Sequence, residues 1–277
     1  MNTDSDHIKD GRGIPVPIGP YHRVVSLVPS LTETVCGLGQ RKRLVGRTIY
    51  CCEPRGTIES VPAFGGTKNP NVAKIIELQP DLVLACVEEN KPEHLKDLYD
   101  AGIAVFAVMP RSLDDVATLL SDYGVLLDAG LESGRALSDL TAARLTAGVF
   151  RAQQSRTLRA ATLIWKDPWM AAGGGNHINA VLLELGLENV LVQKPDYFEI
   201  SLEDLAQRKL DLIFLPDEPY RFTHHDSWSM AAAGVVPSRT DAILLDGKLL
   251  TWYGTRTAPG LRALIKLLKK IKGDTQP

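Results

Sequence analysis

The chain has 277 residues, 44% hydrophobic and 23% charged, a balance suited to two modest globular domains or one large one. A formal net charge of -2 gives no basis for binding nucleic acid or an anionic membrane surface. No run of about 18 apolar residues occurs, so no helix is predicted to span a bilayer.

The opening stretch, MNTDSDHIKDGRGIPVPIGP, is acidic and polar where a signal peptide has a basic start and an apolar run. As written this predicts a cytoplasmic protein, and a periplasmic one if the true start lies upstream. Arg23 to Val28 is a short apolar run expected as a buried strand. After Pro29, Ser30 to Glu33 has capping-box spacing, and Gly37 and Gly39 close the short helix that follows. Leu44 to Gly46 is a second strand, followed by a loop rich in glycine and proline that carries Cys51 and Cys52. With Cys36 and Cys86 these form no C-x-x-C pair; they are expected reduced and mostly buried, and either Cys51 or Cys52 could face a ligand. A helix from Asn71 to Leu78, a strand Asp81–Ala85, a helix Pro92–Asp100, a strand Ile103–Val108 and a helix opening at Ser112 complete the first half. This alternation predicts a parallel sheet with helices on both faces.

Residues 128–154 are rich in Ala, Leu, Arg, Glu and Gln, lack proline and place Leu137, Leu140, Ala143, Leu145 and Ala147 near helical spacing. Such a helix is about 40 Å long, enough to run along a whole domain. Beyond it the α/β pattern restarts: strand Arg159–Trp165, helix Asn176–Leu185, strands Asp211–Leu215, Asp241–Leu245 and Lys248–Trp252, and a helix from Ala258. The expected fold is α/β, two Rossmann-like lobes with parallel sheets joined by one long bridging helix. The lobes are assigned to 21–127 and 158–277, with the bridge at 128–157. An internal echo supports related lobes: NVAKIIELQPDLVLA at 71–85 and SLEDLAQRKLDLIFL at 201–215 match at a constant offset, each a capped helix, a break, an Asp and an apolar strand.

In order, Asp10-Gly-Arg12, RVVSLVPSLTET with Gly37 and Gly39, Val45-Gly46, IIELQPDLVLA and Ala101 to Val105 resemble the helical-backbone substrate-binding proteins of ABC importers. In the second half Trp165 to Pro168, Ala172-Gly173, Glu184 to Gly186 and Asn189-Val190 extend the resemblance over nearly the whole chain. That family receives vitamin B12, ferric siderophores, heme and some bare metals, and the vitamin B12 receptors look most similar. The resemblance implies two α/β lobes bridged by one helix and a ligand held in the cleft between them. It also implies docking to a permease through one surface Glu on each lobe. Glu203 stands at one such position, but Ala73 replaces the acid at the other, so the docking signature is incomplete.

Candidate ligand-binding residues lie where open α/β sheets place ligands, after strands. Tyr50 and Cys51 follow a first-lobe strand, and Tyr50 suits a broad ring. The family often has an aromatic and glycines at Phe64-Gly65-Gly66, where a ligand can approach backbone. Trp165 to Trp169 either packs in the core or lines the second lobe's loop, with Trp169 the better contact. Gly173 to Gly175 reads as a tight turn, with Asn176 as helix cap and His177 facing the cleft. His224 and His225, adjacent in a strand or turn, seldom share a metal, but His224 is a candidate contact. Trp252 and Tyr253 follow the last strand, and Arg256 could pair with a carboxylate or phosphate.

No G-x-S-x-G, H-E-x-x-H or Walker motif occurs, so no catalytic residue and no protein metal site is assigned. The expected function is non-catalytic binding, by a monomer without a covalent cofactor, of a cobalamin-like corrinoid or an iron chelate. The alternatives are a bare-metal receptor for Mn or Zn, and a cytosolic enzyme acting on a corrinoid or tetrapyrrole.

Overall fold

A hairpin of β1 (His7–Lys9) and β2 (Pro15–Pro17) opens the chain in a computed structural model that describes residues 6–273, except for the side chains of 272 and 273. Residues 1–5 of the opening stretch, on which the localisation expectation partly rests, lie outside the described residues. The chain divides into two compact units. One holds residues through Pro110, Asp114–Asp139 and Tyr253–Arg256, and the other holds Arg111–Leu113, Leu140–Trp252 and Thr257 onward.

The first unit alternates β3 (Val24–Ser26), α1 (Pro29–Gly37), β4 (Leu44–Arg47), α2 (Val72–Glu77), β5 (Leu82–Cys86), α3 (Pro92–Asp100), β6 (Ala104–Val108) and α4 (Leu113–Leu126). Its four strands are all parallel in the order β4-β3-β5-β6. Val25, Val83, Ala85, Val105 and Ala107 share one core with Leu95 and Leu98 of α3. Val24, Leu82, Leu84 and Phe106 are buried too, which explains why these strands read as apolar runs rather than alternating ones. The β1–β2 turn is fastened beside β6: the buried Asp10 carboxylate accepts from Arg12 N, Ile14 N and Ala107 N, and pairs with Arg12 at 2.7 Å. This hairpin has no signal in the sequence, because its three-residue strands are too short to show a period. Ser30 does not cap α1: Val28 is the N-cap, with no side-chain cap, and Pro29 occupies the first turn, where its missing N–H costs nothing.

The long helix is α5 (Gly130–Ala152). It starts two residues later than expected because Asp128 takes a left-handed φ of 52° and turns the chain out of α4. Ser133 then lies so near Gly124 that a Cβ there would be 2.7 Å away, and its hydroxyl donates to Leu120 O. Residues of α5 through Asp139 belong to the first unit and those from Leu140 to the second, so one unbroken helix carries the chain between them.

The second unit contains β7 (Leu158–Trp165), β8 (Met170–Ala172), α6 (His177–Glu184), β9 (Leu187–Asn189), β10 (Tyr197–Glu199), α7 (Leu202–Ala206), β11 (Leu212–Pro216), α8 (His224–Ala232), β12 (Ala242–Leu245), α9 (Lys248–Thr251) and α10 (Thr257–Gly273). β9, β7, β11 and β12 are parallel, but β8 pairs antiparallel with β7 and β10 pairs antiparallel with β8, so this sheet is mixed. Two elements differ in type from expectation. Lys248 to Trp252 is not a strand: Lys248–Thr251 forms a helical turn, opened where Asp246 accepts from Lys248 N. His224 and His225 begin a helix rather than lying in a strand or turn, with Thr223 and Asp226 forming its capping box.

The echoed segments fold alike. Asn71 and Ser201 each cap a short helix, accepting from Lys74 N and Asp204 N. Gln79 and Lys209 both take positive φ, near 50° and 52°. Asp81 and Asp211 then accept backbone N–H from Arg23 and Arg159, whose side chains return to the carbonyls of Gln79 and Lys209. One local device thus serves both units.

Candidate functional site

In the first unit, the loop after β4 lacks regular structure and is organised by Arg47. Its guanidinium donates to the carbonyls of Thr48, Cys51, Ile58 and Val61 at 2.9 to 3.2 Å. This holds Tyr50 outward, 61% exposed, and turns Cys51 inward, fully buried beside Thr48. Cys52 is the exposed thiol of the two. Burial pushes the Cys51 thiol up, so it stays protonated and less nucleophilic. A Cβ at Gly66 would lie 3.1 Å from the Tyr50 ring, which brings Tyr50 and the Phe64–Gly66 turn together. Gly65 itself serves the turn: φ is +82°, and a Cβ would meet Asn69 O at 2.6 Å. Phe64 lies over Gly46 and packs against the core.

The segment Tyr253–Arg256 packs within this unit. A Cβ at Gly254 would clash with Thr34 of α1 at 2.0 Å, and Arg256 forms a bidentate pair with Glu33, one contact at 2.9 Å. The Arg256 guanidinium is therefore engaged by the protein's own carboxylate. Tyr253 is buried, and its hydroxyl donates to Glu89 Oε1 at 3.1 Å. Glu89, in the loop after β5, was not among the candidates, and a Glu-Glu pair after a strand was the available signal.

In the second unit, aromatic side chains gather beyond the carboxyl ends of the neighbouring strands β7 and β11. Trp165 meets Tyr220 edge-on at 5.6 Å, Tyr220 packs on Phe222 at 4.8 Å, and Phe222 stacks on Trp169 at 6.2 Å. Trp165 remains 42% exposed, whereas Trp169 is partly buried against the core. The Lys166 ammonium lies 5.1 Å from the Trp169 ring and pairs at 2.7 Å with Asp226, whose side chain is buried. Trp252 is buried, with Lys248 over its ring at 5.6 Å.

The remaining candidates are apart from this cluster in role. His177, the first residue of α6, is only 4% exposed, and burial pushes its pKa down to about 4. It is neutral and interior rather than displayed. Asn176 does cap α6, accepting from Asn179 N. Gly173 and Gly174 are required by backbone approach, since a Cβ on either would lie 2.1 to 2.3 Å from Lys194 O or Val192 O. His224 is exposed on the first turn of α8. Glu203 is exposed on the first turn of α7, and Ala73 is exposed at the matching place in α2. Among the described residues no group of three or more His, Cys, Asp or Glu is placed to hold a metal ion.

Residues 24–230 match the periplasmic binding protein family. The vitamin B12-binding protein of Vibrio parahaemolyticus is 26% identical over 198 residues, 70% of each chain. That of Vibrio vulnificus is 27% identical over 217 residues, 76% of each chain. Among solved structures, the periplasmic vitamin B12 binding protein of Vibrio cholerae has a TM-score of 0.78 at 20% identity, covering 93% of this chain and 99% of that one. The periplasmic heme-binding protein from Roseiflexus sp. RS-1, in its apo form, has a TM-score of 0.77 at 20% identity, covering 90% and 98%.

Proposed function

Because the chain belongs to the periplasmic binding protein family, we propose that it is a non-catalytic binding protein for a metal-containing small molecule, a corrinoid foremost and an iron chelate otherwise. The observation that carries this reading is the aromatic wall of Trp165, Tyr220 and Trp169 beyond β7 and β11, backed by the buried ring of Phe222. A broad ring placed against such a wall gains by removing flat apolar surface from water, while a few polar groups fix its orientation. The vitamin B12 and heme binding named for its relatives supports the same ligand class.

A thermal-shift screen against cyanocobalamin, heme, a ferric hydroxamate, Mn²⁺ and Zn²⁺ tests it, since a ligand of the folded state raises the melting temperature. Cyanocobalamin is expected to raise it, and Trp165→Ala to weaken binding by roughly 1–3 kcal/mol, the scale of a lost aromatic contact. A response to the bare metal ions alone would replace this reading with that of a metal receptor. Recovery of a chemically altered corrinoid would point to the enzyme alternative.

The same reading places the chain with its periplasmic relatives beside an ABC importer, with Glu203 as the docking acid. With Ala73 on the other helix, docking rests on one exposed charge, worth about 0–1 kcal/mol, and is expected to be weak. Pull-down with a B12-type permease, with and without Glu203→Ala, measures this. Cytosolic recovery of the protein with no permease complex would instead favour a carrier that works without a transporter.

A further inference from the structure

Beyond β5 the chain makes a tight, preorganised loop that the aromatic reading does not use. Asn90 is buried; its Oδ1 accepts from Cys86 N at 2.8 Å and its Nδ2 donates to Thr67 O at 2.9 Å. Glu89 N donates to Cys86 O, and the half-buried Glu89 carboxyl receives the Tyr253 hydroxyl at 3.1 Å. Lys68, whose charge acts on Glu89, donates its ammonium to Glu88 O at 2.7 Å. Among the described residues Glu89 makes no ion pair. A carboxyl at the carboxyl end of a parallel strand, fixed by a phenol and a rigid loop, lies where open α/β sheets bind ligands.

We propose that Glu89, oriented by Tyr253, is a recognition residue of the first unit that donates its carboxyl O–H to a carbonyl or carboxylate oxygen on the periphery of the ligand. The inference rests on the binding function proposed above and adds the polar group that orients the ring. A carboxylic acid donates only when protonated. Burial pushes the Glu89 pKa up to about 7; the Tyr253 hydroxyl and Lys68 favour the anion, and Glu88 opposes it. The remaining titratable neighbour, Cys86, is itself pushed up to about 12 by burial and stays neutral. Ligand binding is therefore expected to be tighter below neutrality and looser above it.

The test is titration with two probes, cyanocobalamin, whose amides offer carbonyls, and heme, which offers carboxylates. If only the protonated form is competent, raising the pH from about 6 to about 8 weakens binding roughly tenfold. Glu89→Gln keeps a donor at every pH, so its affinity should be flat and about tenfold tighter than wild type at about pH 8. Tyr253→Phe removes a bond to the anion and should move the wild-type midpoint to higher pH, a shift that a purely structural tyrosine would not give. A response to cyanocobalamin assigns a carbonyl partner, and one confined to heme a carboxylate. The same pH dependence in Glu89→Gln, or none in the wild type while a probe binds, overturns the proposal. Binding of neither probe at any pH overturns the functional reading as well.

Discussion

Replacing Asp226 with alanine is expected to lower stability by about 3 kcal/mol and to loosen the aromatic wall. The Asp226 carboxylate accepts from Thr223 N at 2.8 Å and Thr223 Oγ1 at 2.9 Å, which starts α8, and from Lys166 Nζ at 2.7 Å. Burial pushes this carboxyl up, but the Lys166 and Thr223 hydrogen bonds outweigh it and hold its pKa below the ordinary value. Removing the acid deletes a helix cap and leaves the ammonium of the part-exposed Lys166 unpaired beside Trp169. Urea unfolding of Asp226→Ala, Lys166→Met and the double variant separates the two effects. If the stranded charge dominates, the double variant recovers much of the loss. A double variant no more stable than Asp226→Ala would assign the whole effect to the cap.

Acid is expected to weaken the second unit through His177. Burial holds this imidazole neutral, with a pKa of about 4 against 6.5. Between those values the unfolded chain binds a proton that the folded chain refuses, so stability falls as pH falls from about 6.5 to about 4, by on the order of 3 kcal/mol, and is insensitive to this group above about 7. Glu89 and Asp122 act in the opposite direction, because burial raises their pKa values to about 7 and about 6 and the folded state holds the extra protons. The measurement is therefore a difference. The stability of wild type relative to His177→Leu should decline from about pH 6.5 to about pH 4, and a constant difference would remove His177 as the cause.

Local signals account for most element boundaries. Pro92 and Asp100 bound α3, Asn71 and Asn176 cap their helices, and proline-free residues with helical spacing form α5, because capping and periodicity act within a few residues. The capping box of Thr223 and Asp226 is equally local, and it starts a helix where the two histidines suggest a strand or turn. Lys248 to Trp252 failed for a different reason: a short apolar run has no period long enough to distinguish a strand from a helical turn.

By itself, then, the order of residues determined the α/β alternation, the parallel first sheet, the connecting helix and the repeated Asn71 and Ser201 devices, since each follows from neighbours in sequence or from a fixed period. Only the tertiary structure decided which candidate side chains are displayed. Tyr50 and Cys51 are adjacent, yet one is exposed and the other buried, because Arg47 gathers carbonyls from both ends of their loop. Arg256 meets Glu33 and Tyr253 meets Glu89 across 223 and 164 residues. Such pairings depend on how sheets and helices bring distant segments together and leave no mark at any fixed spacing.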